Sequence, residues 1–84
     1  MPEYKLLSQE EYDELTNIEK ISYISLTKDT KGLKDESFFI RLAAYRISGF
    51  TAEALRDKDC LIRREAEAFF EMKERLEIKK INII

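Results

Sequence analysis

The sequence contains no histidine and only one cysteine, Cys60. Without histidine, the common zinc sites, Cys–His pairs and Ser–His–Asp triads are excluded. A lone cysteine cannot form a disulfide within the chain, whereas small secreted domains usually depend on several. These shortages predict a protein of the reducing cytoplasm that carries no metal site.

Long apolar runs and glycine-rich segments are also missing. No stretch approaches the roughly 20 apolar residues that span a bilayer, and the N-terminus lacks the basic-then-apolar pattern of a signal peptide. Gly32 and Gly49, the only glycines, stand too far apart to form a phosphate-binding loop. We therefore expect no membrane contact, no bound nucleotide and no cofactor.

Proline is equally scarce, because Pro2 is the only one. With so few residues that break helices, the sequence predicts an all-α fold rather than a turn-rich β fold. The 84 residues are 44% hydrophobic, which is enough for one folded core and too few for two. We expect a single domain.

The charges nearly cancel, with 15 basic and 17 acidic residues, so no strong field selects nucleic acid or an anionic membrane. Their distribution is uneven. Residues 1–40 contain five lysines and nine acids, whereas residues 41–84 contain ten basic residues and eight acids. The two halves of the chain therefore differ in sign.

Cap signals divide the first half of the chain. Ser8 followed by Glu11, and Thr16 followed by Glu19, both fit a capping box. The helix after Thr16 has an apolar stripe predicted from Ile18, Ile21, Tyr23, Ile24 and Leu26. A polar connection from Thr27 to Glu36, with at most one turn of helix, is expected to follow.

Three further helices, one of them short, are predicted after this connection. The first begins at Phe38 and ends at Gly49. Thr51 caps a short helix through Leu55, and Asp59 caps a longer amphipathic helix through Leu76. The tail at 79–84 contains apolar β-branched residues, which favours docking on the domain or on a partner.

A shift of 22 positions aligns the last third of the chain with the middle third. The matching pairs are Leu33 with Leu55, Lys34 with Arg56, Asp35 with Asp57, Ile40 with Ile62, Arg41 with Arg63, and Ala44 with Ala66. The same shift backwards places Asp13, Ile18 and Ser22 at the Asp, Ile and small-residue positions, with Glu19 replacing the arginine. This period predicts repeating helical units.

The repeated residues have physical roles in such units. The Asp accepts hydrogen bonds from free N–H groups at a helix start, the Ile anchors the core, and Ala or Ser lets a neighbouring helix approach. Each Arg stands six residues after its Asp and can reach that Asp or the one in the next unit. The expected structural ladder is Asp35, Arg41, Asp57 and Arg63.

The pattern Leu-x-Asp-x4-Ile-Arg-x2-Ala, at Leu33 to Ala44 and again at Leu55 to Ala66, resembles HEAT-like repeats. The short period is more similar to the leucine-rich-repeat variant, in which short and long helices alternate. The proline usual in both families and the variant's cysteine-rich iron–sulfur segment have no counterpart here. The resemblance covers roughly residues 11–76 and implies a scaffold or protein-binding surface.

This resemblance implies an all-α fold in a short right-handed stack of about three helix-pair repeats, as a mini-solenoid or a small orthogonal helical bundle. One helical-repeat domain would span 1–84, with units at roughly 11–32, 33–54 and 55–76 and a C-terminal tail at 79–84.

Aromatic residues are numerous for so small a core, and adjacent pairs such as Phe38-Phe39 cannot both face one side of a helix. Either they are buried between stacked helices or some are exposed and mark an interface. The candidate interface consists of Phe38, Phe39, Phe50, Phe69, Phe70, Arg46 and Arg64. Cys60 is expected to be a small apolar filler, since its repeat equivalent is Phe38; the alternative is a thiol activated at a helix start.

The sequence therefore favours a non-enzymatic protein–protein interaction module that binds a protein partner or a second copy of itself. Its size suits a small accessory or inhibitory protein of bacterial or phage origin. The glutamates of the last helix lie three and four residues apart beside basic residues, which is typical of a solvated face rather than of a catalytic pair.

The alternative function is a nucleic-acid-associated regulator that uses the C-terminal basic residues. These are Arg41, Arg46, Arg56, Arg63, Arg64, Lys73, Arg75, Lys79 and Lys80. Interspersed glutamates weaken this interpretation, because phosphate affinity needs a continuous positive surface.

Overall fold

The computed structural model describes the backbone of residues 3–83 and the side chains of residues 3–77. All regular structure in this range is helical, so the predicted all-α class is confirmed. The elements are α1 (Gln9–Asp13), α2 (Asn17–Thr27), a first 3-10 helix (Thr30–Lys34), α3 (Phe38–Ser48), a second 3-10 helix (Ala52–Arg56) and α4 (Cys60–Ile83). The chain divides into two compact units, Met1–Gly49 and Phe50–Ile84.

The first two helices begin at the predicted capping boxes. The Ser8 side chain accepts from the Glu11 N–H while the Glu11 carboxylate accepts from the Ser8 N–H, and Thr16 and Glu19 repeat the arrangement. Each box satisfies N–H groups that have no partner within the helix. Both predicted caps are confirmed.

Glycines control two points of the first unit. Gly49 ends α3 with φ of 98°, a conformation that other residues adopt only with strain. Gly32 is buried in the first 3-10 helix, where an added Cβ would overlap the side chain of Ile24 and lie 3.1 Å from the Cβ of Ala44. The absence of a side chain thus lets this 3-10 helix lie directly on α2 and α3.

The core of the first unit consists of Tyr12, Ile24, Ile40 and Ala44, all fully buried. Half-buried apolar residues pack against them, namely Leu15, Tyr23, Leu33 and Ile47. Burial of side chains of this size is the main stabilising contribution in so small a unit, at about 1.5–3 kcal/mol each.

In the second unit the second 3-10 helix packs on the start of α4. Ala54, Ile62 and Ala66 are fully buried. The Asp59 carboxylate accepts from the Leu61 N–H at 2.9 Å, which confirms the predicted cap at this helix start.

The 22-residue period recurs in the local backbone. Both 3-10 helices are five residues long, and each ends at the repeated aspartate, Asp35 with φ −63° and ψ 144° and Asp57 with φ −61° and ψ 146°. The Oδ1 of each accepts from the N–H two residues on, at 2.8 Å in both. The repeat is therefore structural at the level of each turn, since two separate segments adopt the same conformation.

The 22-residue alignment predicts the packing of the unit at 11–32 wrongly. Ile18 aligns with the fully buried Ile40 and Ile62, yet it is 79% exposed. Ile24 fills the core from α2 instead, because the inward face of this helix lies on the side of Tyr23 and Ile24. Ile21 and Leu26, placed in the predicted stripe, are also exposed.

Two smaller expectations about the last helix change. Cys60 is exposed at the start of α4 and is not a buried filler. α4 continues through Ile83, so most of the segment predicted as a tail at 79–84 extends the helix. The side chains of that segment lie outside the described residues, and its docking stays a prediction.

Candidate protein-binding surface

α4 carries an exposed apolar face, which we call the α4 stripe. Its large members are exposed by 43% at Leu61, 38% at Phe69, 52% at Met72 and 60% at Leu76, and Ala68 lies between them. Spacings of three, four and seven residues place them on one side of the helix. Ala68, Phe69, Met72 and Leu76 line a shallow groove with Glu65 and Lys73.

Charged residues are not distributed evenly around this stripe. Arg64, Lys73 and Arg75 each stand three or four residues from a stripe member and therefore lie beside it. Glu67 and Glu74 have no stripe member at such a spacing and lie on other sides of α4. Glu71, which does border the stripe, accepts a hydrogen bond from Arg75 at 2.8 Å. Glu65 borders the stripe as well, so its margins carry three cations and two acids.

The structure distributes the candidate interface residues over both units. In the first unit Phe39 is 66% exposed and stacks on the half-buried Phe38, with ring centroids 4.1 Å apart. In the second unit the ring of Phe69 contacts the rings of Phe50 and Phe70, with centroids 5.5 and 5.3 Å apart. These contacts leave the two aromatic groups partly exposed, and their role in binding stays a prediction.

The two basic members of the candidate interface, Arg46 and Arg64, are exposed. Arg64 borders the α4 stripe, whereas Arg46 stands in the last turn of α3. Only Arg64 can therefore be grouped with the stripe on the geometry of its own helix.

The ladder residues make the same bond in each copy. Arg41 donates from Nη1 to the Asp35 carbonyl oxygen at 2.7 Å, and Arg63 donates to the Asp57 carbonyl oxygen at 2.5 Å. A second bond from Arg41 goes to the Glu36 carbonyl at 2.9 Å. Each arginine thus closes the turn before its own helix. The link between successive units stays a prediction.

The first unit also contains a buried polar network that the sequence analysis missed. The Tyr12 hydroxyl donates to Asp35 Oδ2 at 2.7 Å, and the Lys20 ammonium donates to the same oxygen at 3.1 Å. The Tyr23 hydroxyl donates to Asp29 Oδ2, to which Lys31 also donates. Each carboxylate thus accepts hydrogen bonds from one tyrosine side chain and one lysine side chain. Such partners come from distant positions and leave no local sequence signal.

The network shifts the pKa values of its two aspartates and of Tyr12. Burial by itself raises the pKa of Asp35, but hydrogen bonds from the Ser37 N–H, Tyr12 and Lys20 outweigh it, so the pKa is lowered overall. Asp29 has a lowered pKa for the same kind of reason, with Tyr23 and the Lys31 N–H as donors. Burial and the hydrogen bond to Asp35 raise the pKa of Tyr12. Both aspartates are therefore ionised at neutral pH and hold turns in place.

A second exposed apolar surface lies on α2, away from the core. We call it the α2 face; it consists of Ile18, Ile21, Ser22, Ser25 and Leu26, all exposed. Ile18 is the most exposed large apolar residue among them, and Leu26 is 57% exposed. Three large apolar residues and two serines therefore share the outer side of the helix whose inner side carries Ile24.

Other kinds of site find little support in the part of the chain that the structure describes. Residues 3–77 hold no cluster of three or more Cys, Asp or Glu side chains arranged to bind a metal ion. Within the same described range, none of the helices combines the length and the apolar character needed to cross a membrane. No protein-family model, curated protein or solved structure matches the chain.

Proposed function

We propose that the chain is a non-enzymatic protein-binding module and that the α4 stripe is its binding surface. The observation that carries this proposal is the exposure of Phe69, Met72 and Leu76 on one side of a long helix. Covering half-exposed side chains of this size contributes on the order of 1 kcal/mol each. A patch of this kind is a common mark of a protein interface.

A comparison along the repeat separates these residues from ordinary surface positions. The buried Leu42 and Tyr45 of α3 correspond to Arg64 and Glu67 of α4, which are exposed and charged. The sequence thus supplies charge at some exposed positions of α4 and keeps apolar residues at others. The retained apolar side chains are the ones that a partner would cover.

The proposal includes the repeat architecture that the sequence suggests. Recurrence of the 3-10 helix, the aspartate turn and the arginine bond after 22 residues supports a short stack of helix-pair repeats related to the HEAT-like and leucine-rich-repeat-variant families. Proteins of this architecture present extended binding surfaces on their helices. A small accessory or inhibitory protein of a bacterium or phage would suit this form.

The nucleic-acid alternative has less support. Arg41 is buried and donates to two carbonyls, Arg63 is half-buried and donates to one, and Arg75 binds Glu71. These three arginines are already engaged in bonds within the protein, which weakens a continuous phosphate-binding surface. Binding to duplex DNA at low salt that weakens steeply as salt rises would favour this alternative.

Site-specific photo-crosslinking tests the protein-binding proposal. Benzoylphenylalanine replaces Met72 in the stripe or, as the matched control, Glu67 on another side of the same helix. Irradiation of cells that make the full chain should yield a protein adduct from position 72 and none from position 67. Adducts from neither position, or equal adducts from both, would remove the stripe as the binding surface. The mass of the adduct identifies the partner.

A further inference from the structure

The α4 stripe and its groove have a spacing that reads the same in both directions along the helix. Glu65 lines the groove, and it stands four residues from Leu61 and from Phe69, on the same side of α4. The steps along the whole set are four, three, one, three and four residues, over Leu61, Glu65, Ala68, Phe69, Met72 and Leu76. A second α4 that runs in the opposite direction presents the same pattern, so this surface is complementary to its own reversed copy.

In such an antiparallel pair the midpoint lies between Ala68 and Phe69. Leu61 of one copy then lies opposite Leu76 of the other, and Ala68 lies opposite Phe69. Both contacts occur twice, because the pair has two-fold symmetry. The small Ala68 leaves room for the ring of Phe69, which allows the usual interaxial distance of about 8–10 Å. A parallel pair would instead place the two Phe69 rings against each other.

The charges that border the stripe also fit the antiparallel direction. Glu65 lies within one residue of the level of Lys73 in the second copy, so each groove acid meets a groove cation. Arg64 lies level with the middle of the Glu71–Arg75 pair of the second copy, on the same side of the helix, and can share Glu71 with Arg75. A parallel pair would place Glu65 beside Glu65 and Lys73 beside Lys73, which opposes that direction.

We propose that the partner of the α4 stripe is the α4 stripe of a second copy of this chain, packed antiparallel to the first. This inference rests on the proposed function and names its partner. The symmetric spacing, the placement of Ala68 opposite Phe69 and the contacts between acids and cations across the two helices carry it.

The same arrangement sets the size and the limit of the contact. From Leu61 to Leu76 the stripe is about 22 Å long, because an α-helix rises about 1.5 Å per residue. A contact of this length and one helix wide is smaller than a standard interface of about 1,200–2,000 Å². The dissociation constant is therefore about 10 μM to 1 mM. Since both copies use the same surface, association stops at the dimer.

Disulfide crosslinking of the full chain tests the contact and its direction. Each variant carries Cys60→Ser, which removes the natural thiol, and one new cysteine. Ala68 stands about 1.5 Å along the axis from the same residue of the other copy, so Ala68→Cys should form a covalent dimer under mild oxidation. Met72 stands about 10 Å along the axis from its own copy, so Met72→Cys alone should form none.

A mixture of two variants gives the most specific result. Met72 lies opposite Glu65 of the second copy, so Met72→Cys mixed with Glu65→Cys should form a covalent heterodimer, whereas neither variant should crosslink by itself. An affinity tag on one variant identifies the mixed species by its size. Glu67→Cys, on another side of α4, is the matched control and should form no covalent dimer.

Sedimentation velocity from about 10 μM to a few mM measures the association without a crosslink. The wild type should convert from monomer to dimer with concentration and form nothing larger. Met72→Lys should weaken the dimer by about tenfold or more, because it places a charge in the apolar contact. Glu67→Lys should associate like the wild type, and circular dichroism checks that each variant keeps its helices.

Three results would overturn the antiparallel dimer. They are a wild type that stays monomeric throughout, growth of the wild type past the dimer, and a Met72→Cys variant that crosslinks to itself as readily as Ala68→Cys does. If the chain is monomeric but position 72 captures a different protein in the photo-crosslinking experiment, this inference fails and the protein-binding function stands. If position 72 also captures nothing, both fail.

Discussion

The two copies of the 22-residue repeat that begin at Leu33 and Leu55 share one backbone conformation and differ in the side chains around it. Both contain a five-residue 3-10 helix, an aspartate turn and an arginine that donates to the aspartate carbonyl. The repeat aligns Gly32 with Ala54, and Ser37 with Asp59, so the residue types differ at these positions. A few residues thus specify the conformation, while the others adapt each copy to what lies against it.

The helices that follow show where this adaptation leads. α3 buries Leu42 and Tyr45, whereas α4 exposes Arg64 and Glu67 at the same two positions. α4 also runs to Ile83, well past the length of α3. Phe69 aligns with Ile47 near the end of α3, whereas Met72 and Leu76 have no equivalent within α3. These exposed apolar residues are the ones to which we assign binding in the proposed function.

The largest expected effect concerns the three isoleucines spaced by 22 residues. Ile40→Ala and Ile62→Ala each remove a fully buried side chain and should lower the free energy of unfolding by about 2–5 kcal/mol. Ile18→Ala removes an exposed one and should change it by less than about 0.5 kcal/mol. Chemical denaturation measures all three.

This series can break the comparison between the copies. If Ile62→Ala costs far less than Ile40→Ala, the second copy is not an equivalent packing unit. A large loss of unfolding free energy from Ile18→Ala would instead show that the segment 11–32 is a third equivalent packing unit. Either result changes the number of structural repeats.

Sequence alone predicts the parts of this fold that depend on neighbours along the chain. Ser8 and Thr16 are predicted as caps from the glutamate that follows three residues later, and Asp59 from its place before an apolar run; the structure confirms all three. Thr51, which is also predicted as a cap, makes no side-chain capping bond. The repeat of Ile40 and Ile62 was found for a similar reason, since both are fixed at the same distance from an aspartate turn. Local rules were sufficient there.

Interactions between distant residues were not predictable in this way. Ile18 matched the repeat by position, but the inward side of α2 is decided by what packs on Ile24. The pairing of Tyr12 with Asp35 spans 23 residues and follows no spacing rule. Of the α4 stripe, only Phe69 is among the interface residues predicted from the sequence, with Arg64 beside the stripe, because the sequence pattern does not show which side of α4 stays uncovered.

The ion pair between Lys20 and Asp35 gives the next largest expected effect. Asp35→Asn keeps an oxygen for the Ser37 N–H but loses the charge that Lys20 contacts at 3.1 Å, so the free energy of unfolding should fall by about 1.5–3 kcal/mol at neutral pH. Lys34 and Leu42 stand 22 positions after Tyr12 and Lys20. Asp57 therefore has no tyrosine and lysine at the positions that correspond to Tyr12 and Lys20.

The pH dependence gives the sign of this effect. The lowered pKa of Asp35 in the folded state stabilises the fold above the unfolded pKa of about 3.9. That stability is lost as the pH falls through the folded value. The difference between the wild type and Asp35→Asn should shrink below about pH 4. Asp13→Asn, at an exposed position, is the control, and a constant difference down to pH 2 would contradict the charge-based explanation.

A third comparison exchanges the small residues of the two 3-10 helices. Gly32→Ala places a Cβ against Ile24 and Ala44 and should cost about 1–3 kcal/mol through overpacking. Ala54→Gly removes a buried methyl group and adds backbone freedom, which should cost about 1–2 kcal/mol. Thermal unfolding measures both. Stabilisation by Gly32→Ala would show that the first copy has room for the methyl group and that the copies are packed alike.

The smallest expected effect concerns the residue just before each long helix. The Asp59 side chain accepts from the Leu61 N–H, whereas the matched Ser37 side chain makes no capping bond. Asp59→Ala should therefore cost about 1 kcal/mol and Ser37→Ala less than about 0.5 kcal/mol. Because the N–H of both residues is held by the preceding aspartate, alanine leaves that turn intact. Equal losses at the two positions would mean that the turn, and not the side-chain cap, sets the start of both helices.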